Sequence, residues 1–169
     1  MDIICINGPI NSGKSTVGRR LAGLLPGAAF VEGDDHGAPE DAGLDTIIAT
    51  ALERIEALIA AAAGARVTAS PRGAEDPARL AAAAGRRGAR LFVARLAPPM
   101  AVALADRGGR PLSKEERERI VEMYAEGYAG PAFSDIVLDN STLTAGEAAG
   151  IIAEALAGWR TVDRGPAGR

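Results

Sequence analysis

Short apolar runs alternate along the chain with longer stretches whose apolar positions recur every three or four residues, as strands alternate with amphipathic helices. The run from Ile3 to Asn7 predicts a first strand. A helix is expected from Lys14 to about Leu25, with Val17, Leu21 and Leu24 on one face and a stop at Pro26-Gly27. A second strand follows over Ala29–Glu32. The longest helix spans about Leu44 to Ala63; Ile47, Ile48, Ala51, Leu52, Ile55, Leu58 and Ile59 form its buried stripe and Gly64 ends it. Further strands are predicted at Arg66–Ala69, Leu91–Leu96 and Asp135–Asp139. Asp76-Pro77, Pro98-Pro99 and two capping boxes, Ser113-x-x-Glu116 and Thr144-x-x-Glu147, mark helix starts. The alternation predicts an α/β chain with a parallel sheet covered on both faces. Its ligands should gather at the carboxyl ends of the strands. One domain over about residues 1–159 is expected, followed by a polar, fraying tail at 160–169.

Composition narrows this picture. With 47% hydrophobic but only 4% aromatic residues, the core must be built from Ala, Val, Ile and Leu. A net charge of −3 supplies no field for nucleic acid or an anionic membrane. Cys5 is the only cysteine, so no internal disulfide is available, and its place in the first strand predicts a buried apolar filler. No segment reaches membrane-spanning length, and a cytoplasmic protein is expected.

Residues 8 to 15 read Gly-Pro-Ile-Asn-Ser-Gly-Lys-Ser, a complete G-x-x-x-x-G-K-S/T phosphate-binding loop between a strand and a helix. The glycines let backbone N–H groups turn inward, and the helix N-terminus adds partial positive charge. Lys14 is expected on the β- and γ-phosphates and the Ser15 hydroxyl on Mg²⁺. Gly8, Asn11, Ser12, Gly13, Lys14, Ser15 and Thr16 are the expected nucleotide contacts.

The second strand ends Glu32-Gly33-Asp34-Asp35-His36, delivering three carboxylates and the only histidine to the ligand face. The third strand ends in Thr68-Ala69-Ser70 without an acid, so Glu32 is the candidate second metal partner, acting through a metal-bound water. Asp34 is the candidate that accepts the proton of the acceptor hydroxyl; an ordinary aspartate, of pKa about 3.9, is already ionised at neutral pH. Asp35 is the alternative, one residue away, and His36 a weaker candidate. Arg107 and Arg110, with glycines between them, predict a lid over about 107–116 that closes on the triphosphate and neutralises developing charge. Arg72, in the turn after the third strand, is a candidate substrate contact. The Asp139-Asn140-Ser141-Thr142 turn is placed to offer backbone groups to the nucleotide base. Arg54 reads as a solvated helix face, and Tyr124, Tyr128, Phe133 and Trp159 as packing residues.

From Ile3 to about Leu156 the order of these parts resembles the small P-loop metabolite kinases of the adenylate-kinase type, such as shikimate kinase, gluconate kinase and chloramphenicol phosphotransferase. Gly8–Ser15, the Glu32-Gly33-Asp34 turn, Arg107 and Arg110, and Asp139-Asn140-Ser141 before a T-x-x-E helix carry the resemblance. It implies a three-layer α/β/α fold with five parallel strands in the order 2-3-1-4-5. It implies ATP and Mg²⁺ as cofactors, the first acid of the turn for the metal and the second for the acceptor. Arg107 would then lie near adenine and Arg110 on phosphate. The long helix reads Leu52-Glu53-Arg54-Ile55-Glu56 where shikimate kinases carry F-R-x-x-E, and the turn after the third strand is Ser70-Pro71-Arg72-Gly73 rather than three glycines. The expected reaction is phosphoryl transfer to a hydroxyl of a metabolite, sugar or antibiotic other than shikimate. The partner expected is a small molecule, with neither nucleic acid nor membrane, and the chain a monomer or weak homodimer. A 5′-hydroxyl kinase of nucleotides or polynucleotides and a nucleotide-controlled switch without acceptor are the alternatives.

Overall fold

The computed structural model describes residues 1–33, 35, 37–39, 41–69, 76–106, 111–128, 130 and 133–161. Among them lie β1 (Asp2–Asn7), α1 (Lys14–Leu24), β2 (Ala29–Glu32), α2 (Leu44–Ala60), β3 (Arg66–Ala69) and α3 (Asp76–Gly85). The second half holds β4 (Arg90–Leu96), α4 (Met100–Leu104), α5 (Lys114–Ala125), β5 (Ile136–Leu138) and α6 (Ala145–Thr161). The five strands form one parallel sheet in the order β2-β3-β1-β4-β5, as the resemblance implied.

β1 lies at the centre and is buried at all six positions, because helices cover both faces. Ile4 and Ile6 point to one side, where they join Val17 and Leu21 of α1 and Ile152 and Leu156 of α6. Ile3 and Cys5 point to the other, against Leu52, Ile55 and Ile59 of α2 and Leu80 of α3. Strand alternation thus places successive residues of one strand in two separate cores. Cys5 is buried, as its position predicted.

Three apolar residues depart from their expected places. Ile48 is 42% exposed, because α2 buries only a narrow stripe through Ala51, Leu52, Ile55 and Ile59. Leu24 is 55% exposed; α1 ends there, and Leu25 turns inward against the core in its stead. Phe133, expected to pack, is 60% exposed and held at φ 57°. The long helix stops at Ala60 rather than Ala63, its end drawn in by bonds from Ala61 N to Ala57 O and from Ala62 N to Ile59 O.

Both capping boxes form. Ser113 Oγ accepts from Glu116 N at 3.2 Å, and Thr144 Oγ1 accepts from Glu147 N at 3.2 Å, each with the reciprocal carboxylate bond. Glu147 is held below the ordinary carboxylate range by the Thr144 hydroxyl and then the Thr144 backbone N–H. α6 continues to Thr161, so Arg160 belongs to its last turn and not to a frayed tail. Its Nε donates to Asp2 Oδ2 at 2.7 Å, while Trp159 meets Phe92 edge-on at 5.4 Å. These contacts lie at the amino end of the sheet, opposite the loops that follow Asn7 and Glu32. No helix among the described residues is long and apolar enough to cross a membrane.

Candidate active site

The loop from Gly8 to Ser15 leaves β1 and curls before α1. Asn7 Oδ1 accepts the Gly8 N–H at 2.7 Å, and Val17 N closes the first helical bond to Gly13 O at 3.0 Å. Gly8, Asn11 and Gly13 have φ of 144°, 60° and 90°, conformations that glycine and, among the rest, asparagine adopt with least strain. α5 begins with a side-chain cap and acids in its first turn, whereas α1 has neither. No side chain caps the start of α1, and an anion fits there.

Lys14 is buried and folds back over the loop, its Nζ donating to Pro9 O at 2.8 Å. Ser15 and Glu32, assigned to one metal from separate parts of the sequence, are brought together: Ser15 Oγ donates to Glu32 Oε1 at 2.7 Å. A hydroxyl that gives its proton to a carboxylate keeps its lone pairs for a cation, the usual outer-sphere support of a ligand. Mg²⁺ takes oxygen ligands, keeps several waters and binds through one or two protein groups plus phosphates. Ser15 and Glu32 fit that donor set. Among the described residues no group of three or more His, Cys, Asp or Glu could form a cage for an ion.

Gly8 allows the closest approach. A Cβ there would lie 2.4 Å from Leu96 O and 2.9 Å from Ser12 Oγ. Gly8→Ala must push loop against β4 backbone, and we expect a loss of stability of about 1–3 kcal/mol from the strained φ alone. The shift of the denaturation midpoint measures it. Nucleotide affinity should fall with it, because the same loop carries the phosphate-facing N–H groups.

Several contacts were not read from the sequence. Arg19 donates to Glu32 Oε2 at 2.6 Å and lies over the Phe30 ring at 5.0 Å. Arg19 follows Ser15 by one helical turn, so i,i+4 spacing was an available signal. Arg54, read as solvated face, donates to Glu32 O at 3.0 Å and to Asp35 Oδ2 at 2.6 Å. It pins the turn after β2 from the α2 side, and nothing in its local sequence signals this. Gly33 N still donates to Ala69 O at 2.9 Å, so the turn leaves the sheet only after Gly33. Arg95 is buried at the end of β4, beside Asn7 in register, and donates to Tyr128 O at 2.6 Å and Ser134 Oγ at 2.9 Å. Burial holds its guanidinium below its ordinary pKa.

The turn after β5 reaches the loop through a side chain. Asn140 Nδ2 donates to Ser12 O at 2.9 Å, across 128 residues. Asp139 accepts the hydroxyl and backbone N–H of Ser141, which hold its carboxyl below the ordinary range. Asn11, Gly13, Thr16, Asn140 and Leu143 line a cavity of about 260 Å³ beside the loop. Of the remaining candidates, Asp34, His36, Arg72, Arg107 and Arg110 lie outside the described residues.

No protein-family model and no curated protein matches the chain. Solved structures do. A gluconokinase from Sinorhizobium meliloti 1021 aligns with a TM-score of 0.68 at 21% identity over 94% of this chain and 91% of its own. Shikimate kinase from Acinetobacter baumannii, in complex with shikimate, aligns at 0.66 and 22% over 95% and 96%. The tunicamycin resistance protein of Deinococcus radiodurans aligns at 0.64 and 24% over 92% and 95%. Across almost its whole length, then, the chain has the fold of the small P-loop kinases.

Proposed function

We propose that the chain is an ATP- and Mg²⁺-dependent phosphotransferase that moves the γ-phosphoryl group to a hydroxyl of a small molecule. The observation that carries this reading is the uncapped start of α1 with Lys14 folded over it and the Ser15–Glu32 pair alongside. The N–H groups of residues 13–15 bind the phosphates, and Lys14 turns from Pro9 O to the outer phosphates. Ser15 and Glu32 would hold Mg²⁺, which would supply charge neutralisation on the phosphates, and Arg19 keeps the Glu32 carboxylate oriented. The base occupies the cavity beside Asn140 and Thr16.

Glu32 is committed to Ser15 and Arg19, and Asp35 to Arg54. Asp34 takes the acceptor role in this reading, with Asp35, one residue away, as the alternative. As the acceptor oxygen bonds to the γ-phosphorus, the bond to the β,γ-bridging oxygen breaks. The hydroxyl proton passes to the Asp34 carboxylate and then to solvent, and ADP leaves. Arg107 and Arg110 complete the cation set over the triphosphate. The similar folds named above make gluconate and tunicamycin the first acceptors to try, with shikimate, which the sequence disfavours, as the contrast.

ADP release is the direct test, measured over those three compounds, other sugars, aminoglycosides, nucleosides and chloramphenicol-like alcohols. At least one acceptor should raise turnover well above the rate in water. A chain that hydrolyses ATP slowly and indifferently to every alcohol would be a nucleotide switch, and the phosphotransferase reading would be wrong.

A further inference from the structure

Asn11 carries a side chain at a position whose φ of 60° glycine would satisfy without strain. That side chain turns away from the loop and onto the end of α4. Its Nδ2 donates to Ala103 O at 2.8 Å and to Ala105 O at 3.0 Å, over 90 residues further along the chain. Both partners are carbonyl oxygens, so the amide nitrogen must face them.

α4 has only five residues, too few for a helix to be stable by its own bonds. Its last carbonyls have no partner within the helix. Asn11 takes those of residues 103 and 105, and Arg117 of α5 takes the one between, Leu104 O, at 2.7 Å. Thus the phosphate-binding loop and α5 together cap the short helix that leads directly into the segment of Arg107 and Arg110.

We infer that Asn11 is a positioning residue that transmits nucleotide occupancy to α4. Phosphates bound by the loop fix the Asn11 backbone, and the amide then fixes the carbonyls at the end of α4. This rests on the phosphotransferase reading for its consequence in catalysis, though its structural part requires only that the loop bind nucleotide.

Hydrogen–deuterium exchange of α4, with and without a non-hydrolysable ATP analogue and Mg²⁺, tests it together with steady-state kinetics. Asn11→Gly keeps the backbone conformation and deletes both bonds. Asn11→Asp keeps the shape and sets an acceptor against two carbonyls. In the parent chain the analogue should slow exchange in α4, and both variants should lose that ligand-dependent protection, whatever the loss of two bonds does to the thermal midpoint. With the variants saturated by nucleotide, acceptor-dependent kcat should fall about 10–100-fold, as for a misplaced reacting group. The carboxylate of Asn11→Asp should in addition raise the KM for ATP by repelling the phosphates. A merely structural role would move the midpoint and leave the protection intact. Variants that bind the analogue and protect α4 as the parent does would overturn this inference alone. A parent chain that binds no nucleotide would overturn the phosphotransferase reading, and this inference with it.

Discussion

Asp34→Asn should lower acceptor-dependent turnover by about 10²–10⁴-fold, the range for losing a positioned proton acceptor. The substitution keeps size and hydrogen-bonding reach and removes only the capacity to take the proton. ATP affinity should stay within about 2-fold, because a loose phosphoryl-transfer transition state is stabilised on the phosphate side by other groups. Neighbouring carboxylates are poor substitutes: Glu32 is engaged by Ser15 and Arg19, and Asp35 by Arg54. Asp35→Asn provides the contrast. It weakens one exposed ion pair, of the kind worth about 0–1 kcal/mol, and should reduce transfer by less than about 5-fold. Single-turnover ADP formation with a competent acceptor, set beside equilibrium nucleotide binding, separates the cases. Transfer by Asp34→Asn at the parent rate would remove Asp34 from the mechanism.

For Lys14→Met the loss is expected on both sides, in nucleotide affinity and in transfer. The ammonium is buried and 2.8 Å from Pro9 O, poised within the loop. Methionine fills a similar volume without the charge, and losing a preorganised donor to the transferring phosphoryl group lowers transfer by about 10²–10³-fold. Stability should move the other way or not at all, since a buried charge that must be desolvated on folding has been removed. Titration with a fluorescent nucleotide and a thermal melt decide it together. Weaker binding with an unchanged or higher midpoint identifies a ligand-directed group. A lowered midpoint would mean that Lys14 serves the loop's architecture through Pro9.

The strands were legible because each is bounded by strong local punctuation. β2 and β3 occupy the predicted residues, Ala29–Glu32 and Arg66–Ala69, with Pro26-Gly27 before one and Gly64 before the other. The capped starts of α5 and α6 were legible for the same reason, since a capping box is complete within four residues. The order of the strands came from the likeness to known kinases, because alternation of strand and helix is the same for every doubly wound arrangement. Ile48 shows where periodicity stops being informative. Its spacing fits the buried stripe, but whether a stripe is wide or narrow depends on how far the sheet extends beneath the helix.

Ser15 and Glu32 were both singled out in the chain, and their meeting was expected from strand-end chemistry. What the chain could not convey is who holds the site in place. Arg54 on Glu32, Asn140 on Ser12 and Asn11 on the end of α4 join positions 22, 128 and more than 90 residues apart. Propensity, caps and periodicity act between residues a few positions apart, so they name elements and their faces. Contacts of this length depend on which strands lie side by side and on the direction each side chain leaves its backbone, and these are settled only when the sheet has closed and both faces are packed.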